Sequence, residues 1–299
     1  MRIAILICLF IGCLTTTYSQ TDSIALFKKR KVVLVSSAVG TAAIGSTALY
    51  FAWYKDYTTN KFHVFNDAPE WLQMDKVGHA MTNYQISNAG YHTLKWAGYS
   101  DNKSIAVAGI TSLTYMSIIE VMDGYSDGWG FSWTDMGANA AGVAIFCGQQ
   151  YFFKDQPVKM KFSFHQSHYW QYRPNLLGEN LLQQSLKDYN GQSYWLSFNI
   201  GSVLKKESKF PKWLNVAVGY GAEGMISGRD DYVIIPAQGQ VIGGDRYRKL
   251  FLSLDVDLSK IKTKSKVLKK VFQAINWIKI PSPTLEFSRK GVKGYALYF

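Results

Sequence analysis

From residue 32 to residue 54 the chain carries no charged side chain, directly after the basic run "KKRK" at 28–31. That is long enough for a membrane-crossing helix. Ser36, Ser37, Ala38, Gly40, Ala42, Ala43, Gly45 and Ala48 nevertheless make it rich in small residues, as in a tightly packed helix. The basic flank also prefers the cytoplasmic side, whereas a secreted chain starts outside the inner membrane. The segment is therefore expected to pack within the protein, touching lipid at most on one side. "FHVFNDAPEWLQ" (62–73) reads as a loop with aromatic anchors, and three further helices are predicted near Met74–Trp96, Ser104–Met122 and Ser132–Phe153. Ser132 with Asp135 three residues on is a capping pair for the last of them. Four helices with short connections predict a bundle.

After about residue 155 the period changes to two. In "VKMKFSF" (158–164) Met160, Phe162 and Phe164 oppose Lys159, Lys161 and Ser163. "YWLSFNI" (194–200), "LNVAVGY" (214–220), "LFLSLDVDL" (250–258) and the terminal "YALYF" repeat the alternation, the last with Tyr295, Leu297 and Phe299 on one side. These are strands with one apolar face. They suit either a membrane barrel of the outer-membrane kind or a soluble antiparallel sheet covering the helices. Two helical inserts interrupt them, at 178–191 and 262–279. In the second, Leu268, Val271, Phe272 and Ile275 recur at helical spacing, and residues 260–279 hold seven lysines and no acid. Such a helix lies on an anionic lipid surface or docks, solvated, on the sheet. The fold class is thus α+β: an N-terminal bundle of about four helices, then an antiparallel β-rich domain, sheet or small barrel, with two helical inserts.

Charge follows the same division. Residues 20–155 hold 10 Lys/Arg and 11 Asp/Glu, whereas residues 156–299 hold 22 and 10. The predicted domains are a signal peptide over 1–19, a helical domain over 20–155 and a basic β-rich domain over 156–299. In the first segment Arg2 supplies a basic start, Ile3 to Leu14 an apolar stretch too short to span a bilayer, and Thr17 and Ser19 the small residues before a cut. Cys13 in "FIGC" offers the alternative of lipid anchoring. After plain cleavage only Cys147 remains, so no internal disulfide is expected. The basic balance does not point to nucleic acid in a secreted chain; membrane lipid or an envelope glycolipid is the expected partner, and the periplasm or outer membrane the expected place.

The candidate chemistry lies in the helices. Asp75 and His79 are four apart, with Lys76 beside them; Glu120 and Asp123 are three apart; Asp127 follows in "DGYSDGWGF"; Asp135 and Asn139 are four apart. Caps and turns account for the aspartates singly. They do not account for Glu120 on an otherwise apolar helix, which needs a partner such as His79, Lys76 or a metal. "DKVGH", then "E" with "MDG", then "GFSWTDMGANAAG" resembles a bacterial envelope family of predicted periplasmic (lipo)proteins of unknown function, the one that holds the enterobacterial YfiM lipoproteins. Over about residues 70–150 the same order is similar to the VanZ-like membrane family. The positions matched are Asp75, Lys76, His79, Glu120, Ser132, Asp135, Asn139 and Gly142, and the resemblance implies relatives without implying a reaction.

Three functions remain open. One is a non-enzymatic envelope protein whose polar cluster fixes helix packing. Another is an enzyme acting on a lipid-linked or glycolipid substrate, with His79, Glu120, Asp123 and Asp135 catalytic and Asp75, Lys76, Ser132 and Asn139 binding. The third is a divalent-cation site of Glu120, Asp123, Asp127 and Asp135, whose oxygen donors suit Ca²⁺ or Mg²⁺.

Overall fold

A computed structural model describes residues 23–55, 57–204, 209–229, 232–235, 240–243 and 245–299. The expected signal peptide over 1–19, with its cleavage site and Cys13, lies outside the described residues. Helix α1 (Ser23–Leu49) runs on into a wider helical turn at Tyr50–Tyr54. It is followed by α2 (Met74–Trp96), α3 (Asp101–Asp123) and α4 (Trp133–Phe153). Ser132 caps α4 as its spacing predicts, accepting from the Asp135 amide at 3.0 Å.

Helix α1 packs on the bundle only in part: Leu34 lies against its core and Phe27 against Gly98, whereas Val32, Val35, Val39 and Ile44 are exposed. Its basic stretch lies against the end of α2: the Arg30 guanidinium stands 5.4 Å over the Trp96 ring and Lys31 5.3 Å over Tyr99. Among the described residues, two helices are long and apolar enough to cross a membrane. In Leu26–Leu49 none of the most apolar stretch is buried; in Asp101–Asp123 33 % of it is, and that helix packs in the core of the bundle.

Helices α2, α3 and α4 pack on one another around Met81, Tyr84, Ile105, Ala108 and Phe146. A Cβ at Gly142 would lie 2.0 Å from the Ala80 carbonyl oxygen, so glycine is what lets α4 approach α2. The "FHVFNDAPEW" loop folds over the α3–α4 turn, with Phe62 against Gly124 and Phe65 against Gly130.

The second half holds strands β1 (Val158–Phe164), β2 (Gln192–Asn199), β3 (Leu214–Glu223), β4 (Tyr232–Ile235), β5 (Gln240–Gly243), β6 (Tyr247–Val256), β7 (Ser282–Ser288) and β8 (Gly291–Tyr298). Helices α5 (Leu181–Lys187) and α6 (Lys266–Ile275) are the two inserts, shorter than their apolar spacing implied. Six strands form one antiparallel sheet in the order β1-β2-β3-β6-β7-β8, with β4–β5 as a separate hairpin. Among the described residues the sheet is open, with β1 and β8 as its end strands. Its β1 edge is bonded by residues 277–279, through Phe162 N to the Trp277 oxygen and Lys279 N to the Phe162 oxygen.

Which face is inside departs from a soluble sheet. One register row runs Met160, Leu196, Val218, Leu252, Leu285; the next runs Lys161, Trp195, Gly219, Phe251, Glu286. The part of the apolar face at Met160, Phe162, Tyr194, Tyr220 and Ala222 packs on the helices. The polar face is the enclosed one: Lys161, Ser197, Asp255 and Glu286 are all buried. The sheet curls until Ser193 on β2 and Tyr298 on β8 meet at 3.2 Å across its hollow.

Two smaller expectations also change. Opposite Ser282 and Thr284, strand β8 has one residue more (Thr284 pairs with Tyr295, Ser282 with Tyr298), and this bulge turns Tyr295 and Tyr298 to the same inner side. Phe299 and Leu297 are left exposed, so "YALYF" does not keep one aromatic face. In "HQSH" (165–168) the two histidines stand three apart in what reads as a strand, hence on opposite faces; they lie instead beyond the end of β1, against Tyr298 and Tyr169.

Candidate functional site

The site is built at one end of the helical bundle. On α2, Asp75, His79 and Asn83 follow one another at four-residue intervals and so share a face. Helix α3 presents Ser112 and Glu120 to it, and α4 presents Asp135 and Asn139. Helix α2 is introduced by three non-glycine residues in left-handed conformation, Trp71 (φ 49°), Leu72 (φ 50°) and Gln73 (φ 63°). Each such residue costs about 1 kcal/mol or more and persists only when its surroundings fix it. The C-terminal sheet does the fixing: Tyr220 donates to the Leu72 carbonyl, and Arg248 donates to the Gln73 side chain at 2.5 Å. The sheet thereby aims the first turn of α2, where Asp75 and Lys76 lie.

His79 is held on both sides. Its Nδ1 stands 3.1 Å from Asn139 Oδ1 and 3.3 Å from Glu120 Oε1. Asn83 Nδ2 donates to the same Asn139 oxygen at 2.6 Å, which fixes that oxygen as an acceptor and His79 Nδ1 as a donor. Ser112 completes the chain by donating to Asn83 Oδ1 at 2.9 Å. The other ring nitrogen, Nε2, faces Asp75 Oδ1 at 3.6 Å and Asp135 Oδ1 at 4.0 Å. Glu120 is 1 % exposed and Asn139 fully buried, so the Nδ1 side is dry. The Nε2 side opens on a cavity of about 2210 Å³ lined here by Asp67, Asp75, His79, Asp123, Asp135 and Tyr189.

Lys76 gathers three carboxylates: Asp67 at 2.5 Å, Asp135 at 2.6 Å and Asp75 at 3.0 Å. Asp67 also accepts from Ser132 and Thr134, and Tyr189 from the C-terminal half donates to Asp75 at 2.7 Å. Five carboxyl groups thus face two cationic side chains, and protons make up part of the difference. Burial pushes the Glu120 carboxyl up to about 7 and that of Asp123 up to about 6. Burial, with Asp75 adding to it, pushes Asp135 up to about 8. Asp75 is held low, because His79 and Lys76 outweigh its burial. Burial alone would lower His79, but Asp75, Asp135 and Glu120 together raise it above its ordinary value.

Of the residues singled out by sequence, Asp75, Lys76, His79, Glu120, Asp135 and Asn139 therefore meet. Ser132 is buried as a cap and Asp67 partner, so it does not face a substrate, and Asn139 backs the imidazole instead of the cavity. The four acids considered for a cation do not form one set. Asp123 accepts from Tyr54 at 2.5 Å, and Asp127 is tied to Thr58 in the turn. Among the described residues, the donor atoms close enough to share an ion are those of Asp75, His79 and Asp135, within 4.8 Å of one another. That set contains an imidazole nitrogen, so it does not select Ca²⁺ or Mg²⁺ as an all-oxygen set does. Sequence reasoning missed Tyr54, Asp67, Asn83, Ser112 and Tyr189. Asn83 alone had a readable signal, its place four residues after His79.

Residues 64–149 match the model of a family described as predicted periplasmic lipoprotein (DUF2279). The matched segment runs from the loop before α2 to near the end of α4 and contains His79, Glu120 and Asp135. The match agrees with the resemblance read from the ordered motif, and with an envelope protein of undetermined activity. No curated protein and no solved structure matches the chain.

Proposed function

On the premise that the chain is an envelope protein of that family's kind, we propose that its helical half carries an acid–base site acting on a lipid-linked or glycolipid substrate. The supporting observation is the asymmetry around His79: Nδ1 fixed by Asn139 and Glu120 in a dry wall, Nε2 turned to an open cavity beside two carboxyls. A base oriented through one nitrogen and free at the other is what proton transfer to water or a substrate hydroxyl requires. Glu120 and Asn139 set the ring, and Asp135, which keeps its proton near neutral pH, is the acid partner. The alternating C-terminal strands support the outer membrane as the place.

The test is incubation of the full chain with total envelope lipid, followed by mass spectrometry. Conversion of one lipid or glycolipid class, reduced roughly 10²–10⁴-fold by His79→Gln, is the expected result. No His79-dependent product, with His79→Gln unfolding the bundle, would leave the cluster as a tie between helices. A cation reading has one observation of its own, the Asp75, His79 and Asp135 donor set. Against it, Lys76 already lies against two of those carboxyls. A rise in melting temperature with Ca²⁺, Mg²⁺ or Zn²⁺ that Asp75→Asn removes would favour it.

A further inference from the structure

We infer that the outward face of strands β2, β3, β6, β7 and β8 is wetted by lipid acyl chains, with α6 alongside at the level of anionic headgroups. The inference rests on the membrane-associated reading above and goes beyond it in naming the surface and its solvent. Along one register row Leu196 is 38 % exposed, Val218 45 %, Leu252 44 % and Leu285 45 %. The neighbouring rows add Phe198 and Leu254 on one side, and Leu250, Phe287 and Val292 on the other, all exposed. The opposite face is polar and paired. Lys161 and Asp255, both fully buried, meet at 2.8 Å; Ser197 donates to Asp255 at 2.6 Å; Trp195 Nε1 donates to Ser163 at 3.0 Å. A sheet in water hides its apolar rows and shows its polar ones. The reverse order, with the polar side enclosed, is the pattern of a strand wall facing hydrocarbon.

The shape selects lipid over a protein partner. Strands β2 and β8, four places apart in the sheet, touch through Trp195 and Tyr298 across the hollow (ring centres 6.0 Å). The outward rows therefore point in widely different directions, and no single flat partner covers them, whereas acyl chains surround any convex wall. Helix α6 continues the surface. Val267, Leu268, Val271 and Ile275 are all exposed, although they make the apolar side of a strongly amphipathic helix. Lys266, Lys269 and Lys270 complement anionic headgroups, and Trp277, just beyond the helix, is exposed as interfacial tryptophans are.

Spin labelling in vesicles tests this. The full chain, carrying Cys8→Ser, Cys13→Ser and Cys147→Ser with one of Leu252→Cys, Leu285→Cys or the control Asp127→Cys, is reconstituted into phosphatidylcholine–phosphatidylglycerol vesicles and floated. For the two sheet positions, the ratio of accessibility to oxygen over that to a water-soluble nickel chelate is expected to exceed the control's several-fold. If the chain floats but the sheet labels are as nickel-accessible as the control, the inference is overturned while membrane association stands. If the labels are shielded from both relaxants and the mass in detergent doubles, a second copy covers the face and the inference is again overturned. A chain that does not float defeats the membrane-associated reading itself.

Discussion

Replacing Glu120 by Gln keeps the shape of the side chain and removes its ionisation. In the folded protein the carboxyl is 1 % exposed and driven up to about 7, against an ordinary 4.5. Ionising it at pH 8 therefore costs the folded state about 3 kcal/mol relative to the unfolded chain. The sign follows from proton uptake. Between about pH 4.5 and 7 the folded protein keeps a proton that the unfolded chain has lost, so stability falls as pH rises through that window. His79 acts in the same sense, because its pKa is raised: its imidazolium stabilises below the ordinary histidine value, and that contribution is lost as pH rises through the raised one. Glu120→Gln removes the first effect and weakens the second, since Glu120 is one of the three acids that raise His79. Melting followed by circular dichroism at pH 5 and pH 8 should show the variant at or below the parent at pH 5, where the parent's carboxyl is protonated and the amide gains nothing over it. At pH 8 it should melt several degrees higher, at about 2–4 °C per kcal/mol for a chain of this order of size. A variant-minus-parent difference that does not change with pH would refute the protonated, buried Glu120 on which the site is built.

Gly142→Ala places a methyl on the Ala80 carbonyl and should destabilise the bundle by about 1–3 kcal/mol, as overpacking does; an unchanged melting temperature would mean that α4 does not lie against α2 there. Lys161→Met leaves Asp255 buried without its cation and should cost about 3–5 kcal/mol, with Lys161→Met/Asp255→Asn recovering much of the loss in the same melt. Tyr220→Phe removes the donor to the Leu72 carbonyl, and amide exchange in the first turn of α2 should quicken while exchange in α3 is unchanged.

The helices of the bundle were legible because their signals are local. Ser132 and Asp135 announced the start of α4, and α2 occupies the predicted Met74–Trp96. The site was legible in part for the same reason, since an acid on an apolar helix demands a partner and Glu120 has one in His79. What was not legible depends on tertiary placement. Tyr189 reaches Asp75 from 114 residues away, Tyr54 arrives from the wide helical turn that ends α1, and Asp67 from a loop with no periodicity. A period of two also looks the same whichever face is enclosed, so alternation in β1 to β8 could not reveal that Lys161 and Asp255 face inward and Leu252 outward. The bulge in β8, invisible in the sequence, then reversed the side of its last residues. For α1, small residues implied tight packing, yet its exposed valines show that the same composition occurs on a helix with few neighbours.

The most direct measurement is the titration of His79 by nitrogen NMR of ¹⁵N-histidine-labelled protein, assigned with His79→Gln. The account predicts a neutral form protonated at Nδ1, a titrating Nε2, and a midpoint above the ordinary 6.5 that falls when Glu120 is replaced by Gln. A neutral form protonated at Nε2, or a midpoint below 6.5 that ignores Glu120→Gln, would contradict an imidazole held by Glu120 and Asn139 and presented to the cavity.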